Sequence, residues 1–212
     1  MTKVTTKSHA AVRLPRAQRR EQIVAAAAGV FLAGGYEKTS MEDIARAAGV
    51  TRLIVYRIFE SKEQLYLAVL STVLDEFARG FDLEPLNPPA PPVVPLEVPR
   101  VPVAAVLLDV ARRHPDGFRL LWRHTSTQGE FAELYGLFKA GATEYAMGVL
   151  GASLGDDVLT MWAAETLVST IYESICLWLD RGDAARDDEF LLMLADGLRA
   201  TVDAWVSASP HA

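Results

Sequence analysis

The chain of 212 residues has one cysteine, Cys176, so no disulfide can close within it and no cysteine-based zinc site can be built from one copy. That residue reads as a small buried hydrophobe on a helix. Histidine is nearly as scarce: the four, at 9, 114, 124 and 211, are too scattered to suggest a metal or catalytic cluster. No apolar run approaches the ~20 residues of a membrane span. The first residues, with Lys3, Lys7 and His9 but no apolar segment, do not have the layout of a secretory signal, so the expected address is cytoplasmic and no membrane partner is expected. The G-x-S-x-G, H-E-x-x-H, P-loop and dinucleotide fingerprints are missing too, which argues against an enzyme, a resident metal or a cofactor.

What is present is apolar material and unevenly placed charge. Half the residues are hydrophobic, enough for a sizeable core. The formal net charge is −6, but residues 1–79 hold 12 Lys plus Arg against 8 Asp plus Glu, and residues 80–212 hold 9 against 19. The first part is therefore +4 and the second −10. Phosphate binding needs local positive charge, and an acidic remainder is held away from DNA by the same electrostatics, so the split argues for two jobs.

Residues 1–15 lack helical apolar spacing and read as a flexible basic arm ending in Leu14-Pro15. Ile23, Ala27, Val30 and Phe31 then recur at helical spacing up to Gly34-Gly35, predicting a helix over about 17–33. Ser61 with Gln64 forms a capping box for a helix to about residue 79, with Leu65, Val69, Thr72 and Val73 inward. Eight of the 11 prolines fall in 85–102, which forbids a continuous helix there, so 81–102 reads as a linker or surface loop. Beyond it the spacing predicts helices over about 103–113, 116–127, 131–150, 156–181 and 187–207. Acidic pairs at 156–157 and 187–188 suit the positive ends of two of these helices. No strand pattern competes. The fold class expected is all-α: a helix-turn-helix domain over 16–80 and a helical bundle over 103–208.

The most informative stretch is 40–59. Ser40 followed by Asp43 is a capping-box start, and Gly49 can take the positive φ that stops the helix, predicting a helix over 41–48. Thr51 offers a second N-cap hydroxyl for a helix over 52–58, packed through Ile44, Ala48, Val50, Val55 and Phe59, with Ala45 small at the crossing. Two such helices can deliver the second into a DNA major groove.

Arg19-Arg20-Glu21-Gln22-Ile23, Phe31, Gly35-Tyr36, Thr39, Ile44-Ala45, Ala48-Gly49-Val50, Tyr56, Phe59 and Ser61-Lys62-Glu63-Gln64-Leu65 resemble the N-terminal signature of the tetracycline-repressor (TetR) family of bacterial regulators. The resemblance covers about residues 16–70 and implies a three-helix DNA-binding unit carrying a C-terminal bundle for ligand binding and dimerisation. It also implies a homodimer that binds a near-palindromic double-stranded operator and releases it when a small-molecule effector enters the C-terminal domain. By family position, Ser40, Thr51, Tyr56 and Lys62 are expected at or near the DNA backbone; physically they are hydroxyls and a cation near helix N-termini, which suits anionic oxygen. Arg52 and Arg57 can read guanine edges or hold phosphate. The chain departs from the family where Leu53 and Ile54 precede Val55-Tyr56. Neither can donate to phosphate, so each is left to meet a thymine methyl or to pack against another helix.

In the C-terminal part, Phe118, Trp122, Tyr135, Phe138, Trp162 and Tyr172 are the aromatic candidates for an effector pocket among the middle helices. The last two helices are so apolar that they need cover on more than one side, and Ile171, Ile175, Leu179, Leu194, Leu198 and Trp205 are the expected dimer contacts. The leading function is a ligand-responsive transcriptional regulator, most simply a repressor. The alternatives are a helix-turn-helix protein that docks another protein and, with no fingerprint in support, an enzyme of the helical bundle.

Overall fold

The computed structural model describes residues 14–81, 103–125, 131–151, 154 and 157–209. Most of the expected arm and nearly all of the proline-rich segment lie outside the described residues. Among those residues every regular element is a helix. The order is α1 (Arg16–Lys38), α2 (Met41–Ala47), α3 (Arg52–Ile58), α4 (Lys62–Gly80), α5 (Val103–Arg113), α6 (Pro115–Arg119), α7 (Ala132–Leu150), α8 (Asp157–Arg181) and α9 (Asp187–Ala208).

α1 turns Ile23, Ala27 and Phe31 into the core at four-residue intervals, with Val24 and Ala28 beside them. It runs five residues past the expected end because Gly35 kinks it (φ 74°) instead of ending it. The kink swings Tyr36 inward, and the Thr39 hydroxyl donates to the freed Gly35 carbonyl at 2.7 Å. The Ser61 cap of α4 accepts from Gln64 N–H at 3.0 Å, but the Gln64 amide oxygen accepts from Glu60 N–H at 2.7 Å. The expected box is thus displaced one residue back.

The helix expected over 116–127 is two pieces. Pro115 sits at the first position of α6, where its missing N–H is harmless, and the chain then widens into a π-helical turn, Leu120–His124. The Thr125 hydroxyl donates to the Leu120 carbonyl at 2.9 Å, tying off that turn. The Asp187 carboxylate does more than complement a helix end. It accepts from Arg112 at 2.9 and 2.6 Å and from the Trp178 indole at 2.6 Å, joining the start of α9 to α5 and α8. Arg112 holds this carboxyl below its ordinary range, the Trp178 hydrogen bond acting in the same direction.

One continuous core runs from Ile23 on α1 through α4 and α5 to Ile175 and Cys176 on α8. A smaller cluster, Leu150, Leu154, Ala163 and Ala164, joins the far ends of α7 and α8. The N-terminal helices therefore rest directly on the C-terminal ones through α4, whose inward face carries Leu65, Tyr66, Val69, Leu70, Val73 and Phe77.

Candidate nucleic-acid interface

α2 begins with the complete capping box: Ser40 Oγ accepts from Asp43 N–H at 3.2 Å, and the Asp43 carboxylate accepts from Ser40 N–H at 3.2 Å and from its hydroxyl at 2.6 Å. These Ser40 hydrogen bonds lower the Asp43 pKa. At the other end Gly49 takes φ 64° and the chain reverses. The Gln22 side chain on α1 donates to the Ala48 carbonyl at 2.8 Å, closing the end of α2 from a distance of 26 residues. Sequence spacing could not expose that contact, because its two partners meet only after α1 folds across the hairpin.

α3 is anchored by Val55, which is fully buried, and by Phe59 just beyond its end. Thr51, Arg52, Leu53, Tyr56 and Arg57 are exposed. The Thr51 hydroxyl makes no cap hydrogen bond, contrary to expectation, so it is not committed to its own helix. The Arg52 guanidinium lies 5.1 Å from the centroid of the Tyr56 ring and donates to its hydroxyl at 3.3 Å, so one turn of helix pre-sets both. The fates left open for Leu53 and Ile54 separate: Leu53 is 66% exposed, whereas Ile54 is half-buried against the core.

Lys62 departs from the exposed set. Its ammonium donates to the Tyr36 carbonyl at 2.8 Å and the Glu37 carbonyl at 3.4 Å, and sits 4.2 Å from the Tyr36 ring centroid. It therefore clamps the start of α4 to the end of α1.

The aromatic candidates divide as well. Tyr172 is at the centre of a packed group, with Trp122 stacked at 4.6 Å, Phe118 at 5.7 Å, and Phe138 edge-on at 5.5 Å; Tyr135 flanks Trp122 at 6.2 Å. Burial raises the pKa of both Tyr172 and Tyr135, so both phenols stay protonated. Trp162 does not join them. It is 52% exposed and pairs with Trp205 at 4.9 Å, because α8 carries it out on the face toward α9. Beside the aromatic group, Arg123 is held by Glu173 at 2.6 Å and Asp180 at 2.9 Å, and Arg119 by Asp180 at 2.8 Å.

Two contacts that spacing could not reveal join this group to the helix-turn-helix unit. Phe131, just before α7, stacks on Tyr66 at 4.3 Å and meets Tyr36 edge-on at 4.9 Å. The Tyr66 hydroxyl shares a buried 3.2 Å hydrogen bond with Thr125.

Of the expected dimer contacts, Ile175 is corrected: it is fully buried within its own subunit and cannot face a partner. Ile171, Leu179, Leu194, Leu198 and Trp205 are half-buried. α9 has no fully buried residue, and Leu192, Met193, Leu177, Leu159 and Val158 present apolar surface to solvent.

A capped helix pair with an exposed cationic second helix, set on an all-α body, has the helix-turn-helix architecture that presents one helix to a DNA groove. Residues 23–69, which span most of α1, α2, α3 and the first part of α4, match the model for bacterial regulatory proteins of the tetR family. The chain is similar to the HTH-type transcriptional activator FasR of Mycolicibacterium smegmatis, 46% identical over 68 residues, covering 32% of this chain and 31% of FasR. It is also similar to the HTH-type transcriptional regulator RutR of Escherichia coli, 33% identical over 102 residues, covering 48% of this chain and 45% of RutR. The matched region thus spans about a third of FasR and under half of RutR. At the level of fold, a TetR-like transcriptional regulator from Rhodococcus sp. RHA1 superposes with a TM-score of 0.68 at 20% identity, covering 92% of this chain and 100% of that one.

Proposed function

We propose that the protein is a ligand-responsive transcriptional regulator that binds a near-palindromic operator as a homodimer, in the cytoplasm where that DNA lies, and releases it when a small molecule enters the C-terminal bundle. The observation that carries this reading is the exposed face of α3. Arg52 and Arg57 supply two guanidiniums for guanine edges, Leu53 an apolar contact for a thymine methyl, and Thr51 and Tyr56 hydroxyls for phosphate. Because the Tyr56 oxygen accepts from Arg52, its own proton is left for a phosphate oxygen. Ser40 lies at the start of the supporting helix, and Lys62 contributes mainly by fixing α4 against α1.

Dimerisation is supported by α9, whose apolar residues find no complete cover in one subunit. Two copies of α8 and α9 would cover one another. The effector site is assigned to the group around Trp122, Tyr135 and Tyr172, which has no charged member and offers phenol and indole groups as polar handles, so the expected effector is hydrophobic or amphipathic. Entry of a ligand would part the aromatic stack and move Phe131 and Thr125 against Tyr66, altering the spacing of the two recognition helices. Repression is the simplest output; FasR is an activator by name, and NalD of Pseudomonas aeruginosa a repressor. Selection of bound genomic fragments followed by sequencing tests the proposal: one enriched palindromic sequence is expected, and no enrichment over bulk DNA would overturn it.

A further inference from the structure

A cleft of about 600 Å³ opens between α1, α4 and the start of α6, and no member of the aromatic group around Tyr172 lines it. That volume lies within the roughly 300 to 1,000 Å³ of small-molecule sites. Its apolar floor comes from two helices of the N-terminal unit, Val24 and Ala28 on α1 and Val69 and Val73 on α4, while Arg113 to Gly117 close it from the C-terminal part. Its rim carries the guanidiniums of Arg20, Arg79 and Arg113. Arg79, at 2.7 Å, and Arg113 converge on the single carboxylate of Glu76, whose side chain is only 10% exposed. Arg113 is further held by Asp109. Among the described residues Arg79, 61% exposed, has Glu76 as its one ion-pair partner, and Arg20, which lies over the Phe59 ring 5.3 Å from its centroid, has no acidic partner. Of the remaining rim groups, Asp116 is 3.6 Å from Arg119, Glu21 is exposed, and His114 stands 3.7 Å from Glu76.

The cleft is also placed to act on DNA binding. α6 is seated closely against α4 and α1: a Cβ at Gly117 would lie 2.9 Å from a Val73 methyl, and one at Gly29 would lie 3.1 Å from the Asp116 carboxylate. An occupant would therefore bear on α1 of the helix-turn-helix unit and on α6 at once.

The geometry points to a second regulatory site here, one that takes a small amphipathic organic anion with its apolar body on the valine and alanine floor and its carboxylate between Arg79 and Arg20. A cation would find two of the three rim carboxylates, Glu76 and Asp116, already facing arginines, and a neutral alcohol would forgo the charge-assisted hydrogen bonds. The regulatory half of this assignment rests on the operator-binding function proposed above; the binding half does not.

Calorimetric titration of the full chain with octanoate, 1-octanol and octylammonium separates the possibilities. Octanoate should bind at least tenfold more tightly than 1-octanol, with octylammonium weaker still. Equal affinity for acid and alcohol, or a preference for the amine, would overturn the anion assignment. Arg79→Gln, at an exposed position, should weaken octanoate about tenfold, and Ala25→Trp, which fills the cleft from the exposed side of α1, should abolish binding. Arg46→Gln, at an exposed arginine of α2 outside the cleft lining, should leave octanoate affinity unchanged. Full binding by the first two variants, or loss in the third, would place the site elsewhere. In a gel-shift titration octanoate should change operator affinity at least fivefold in the wild type and not in Ala25→Trp, and no change in the wild type would overturn the regulatory role. Absence of any operator shift without octanoate would instead count against the proposed function, leaving the calorimetry to stand alone.

Discussion

Arg52 and Tyr56 form a pre-set pair in which ring, hydroxyl and guanidinium are mutually fixed, so their losses on substitution should differ in kind. Tyr56→Phe keeps the ring under Arg52 and removes one phosphate donor; operator affinity should fall across all sequences, with base preferences unchanged in a binding-site selection. Arg57→Ala should instead shift the preferred sequence, a bidentate guanine contact being worth roughly 1 to 3 kcal/mol. Lys62 belongs to a third kind. Its ammonium closes two carbonyls of the α1 terminus, so Lys62→Ala should lower unfolding free energy by about 1 kcal/mol in urea as well as weakening DNA binding. Unchanged stability would return it to the set of plain phosphate contacts. Thr143 offers an independent check: its buried hydroxyl has no hydrogen-bond partner among the described residues, so Thr143→Val should stabilise the fold by roughly 1 kcal/mol. At this scale sequence reading reached as far as local chemistry allowed. Ser40 with Asp43 was legible because both groups lie within one turn, whereas the Lys62 clamp joins residues 25 and 26 apart and was not.

Among the helices, legibility followed the same rule. End caps located α2, α3 and α4, apolar spacing located α1, α5 and α7 to α9 because burial on one face imposes it, and α3 fell on the expected residues. Spacing could not distinguish a kink at Gly35 from an end, nor foresee the π-helical turn after α6, since both are set by what the neighbouring helices leave room for. It also could not tell which apolar residues of α8 face inward: Ile175 lies in the subunit core, and the exposed surface belongs to residues such as Leu177 and Val158. The dimer test therefore moves to α9. Met193→Asp, at a position 72% exposed in the subunit, should dissociate the proposed dimer in sedimentation while leaving the helical signal intact, whereas Ile175→Asp should unfold the chain. The link from α9 back to α5 and α8 through Asp187 carries a pH signature. Its pKa is lowered on folding, so its contribution is present above the unfolded carboxylate value and is lost as pH falls through the folded one. Thermal melts of wild type and Asp187→Asn should differ at neutral pH and converge at acid pH; a constant offset would contradict the pairing with Arg112.

For the whole molecule, a cationic N-terminal unit packs on an acidic helical body through one continuous core to which α4 contributes. On the proposed function, that shared core is how a ligand bound among the C-terminal aromatics would bear on the recognition helix, with Phe131, Tyr66 and Thr125 carrying the coupling. Tyr66→Phe, which keeps the ring stack and removes the hydrogen bond, should leave the operator sequence unaltered and change only the response to effector. All of this stands on α3 reading DNA. Side-by-side selection of bound fragments with the wild type and with Arg52→Ala and Arg57→Ala, repeated over several salt concentrations, tests it most directly. The account predicts that the wild type enriches one near-palindromic sequence with an affinity that falls steeply with salt, and that at least one variant enriches a different base at a fixed position in each half-site. Identical base frequencies for all three proteins, or no enrichment by the wild type, would contradict it.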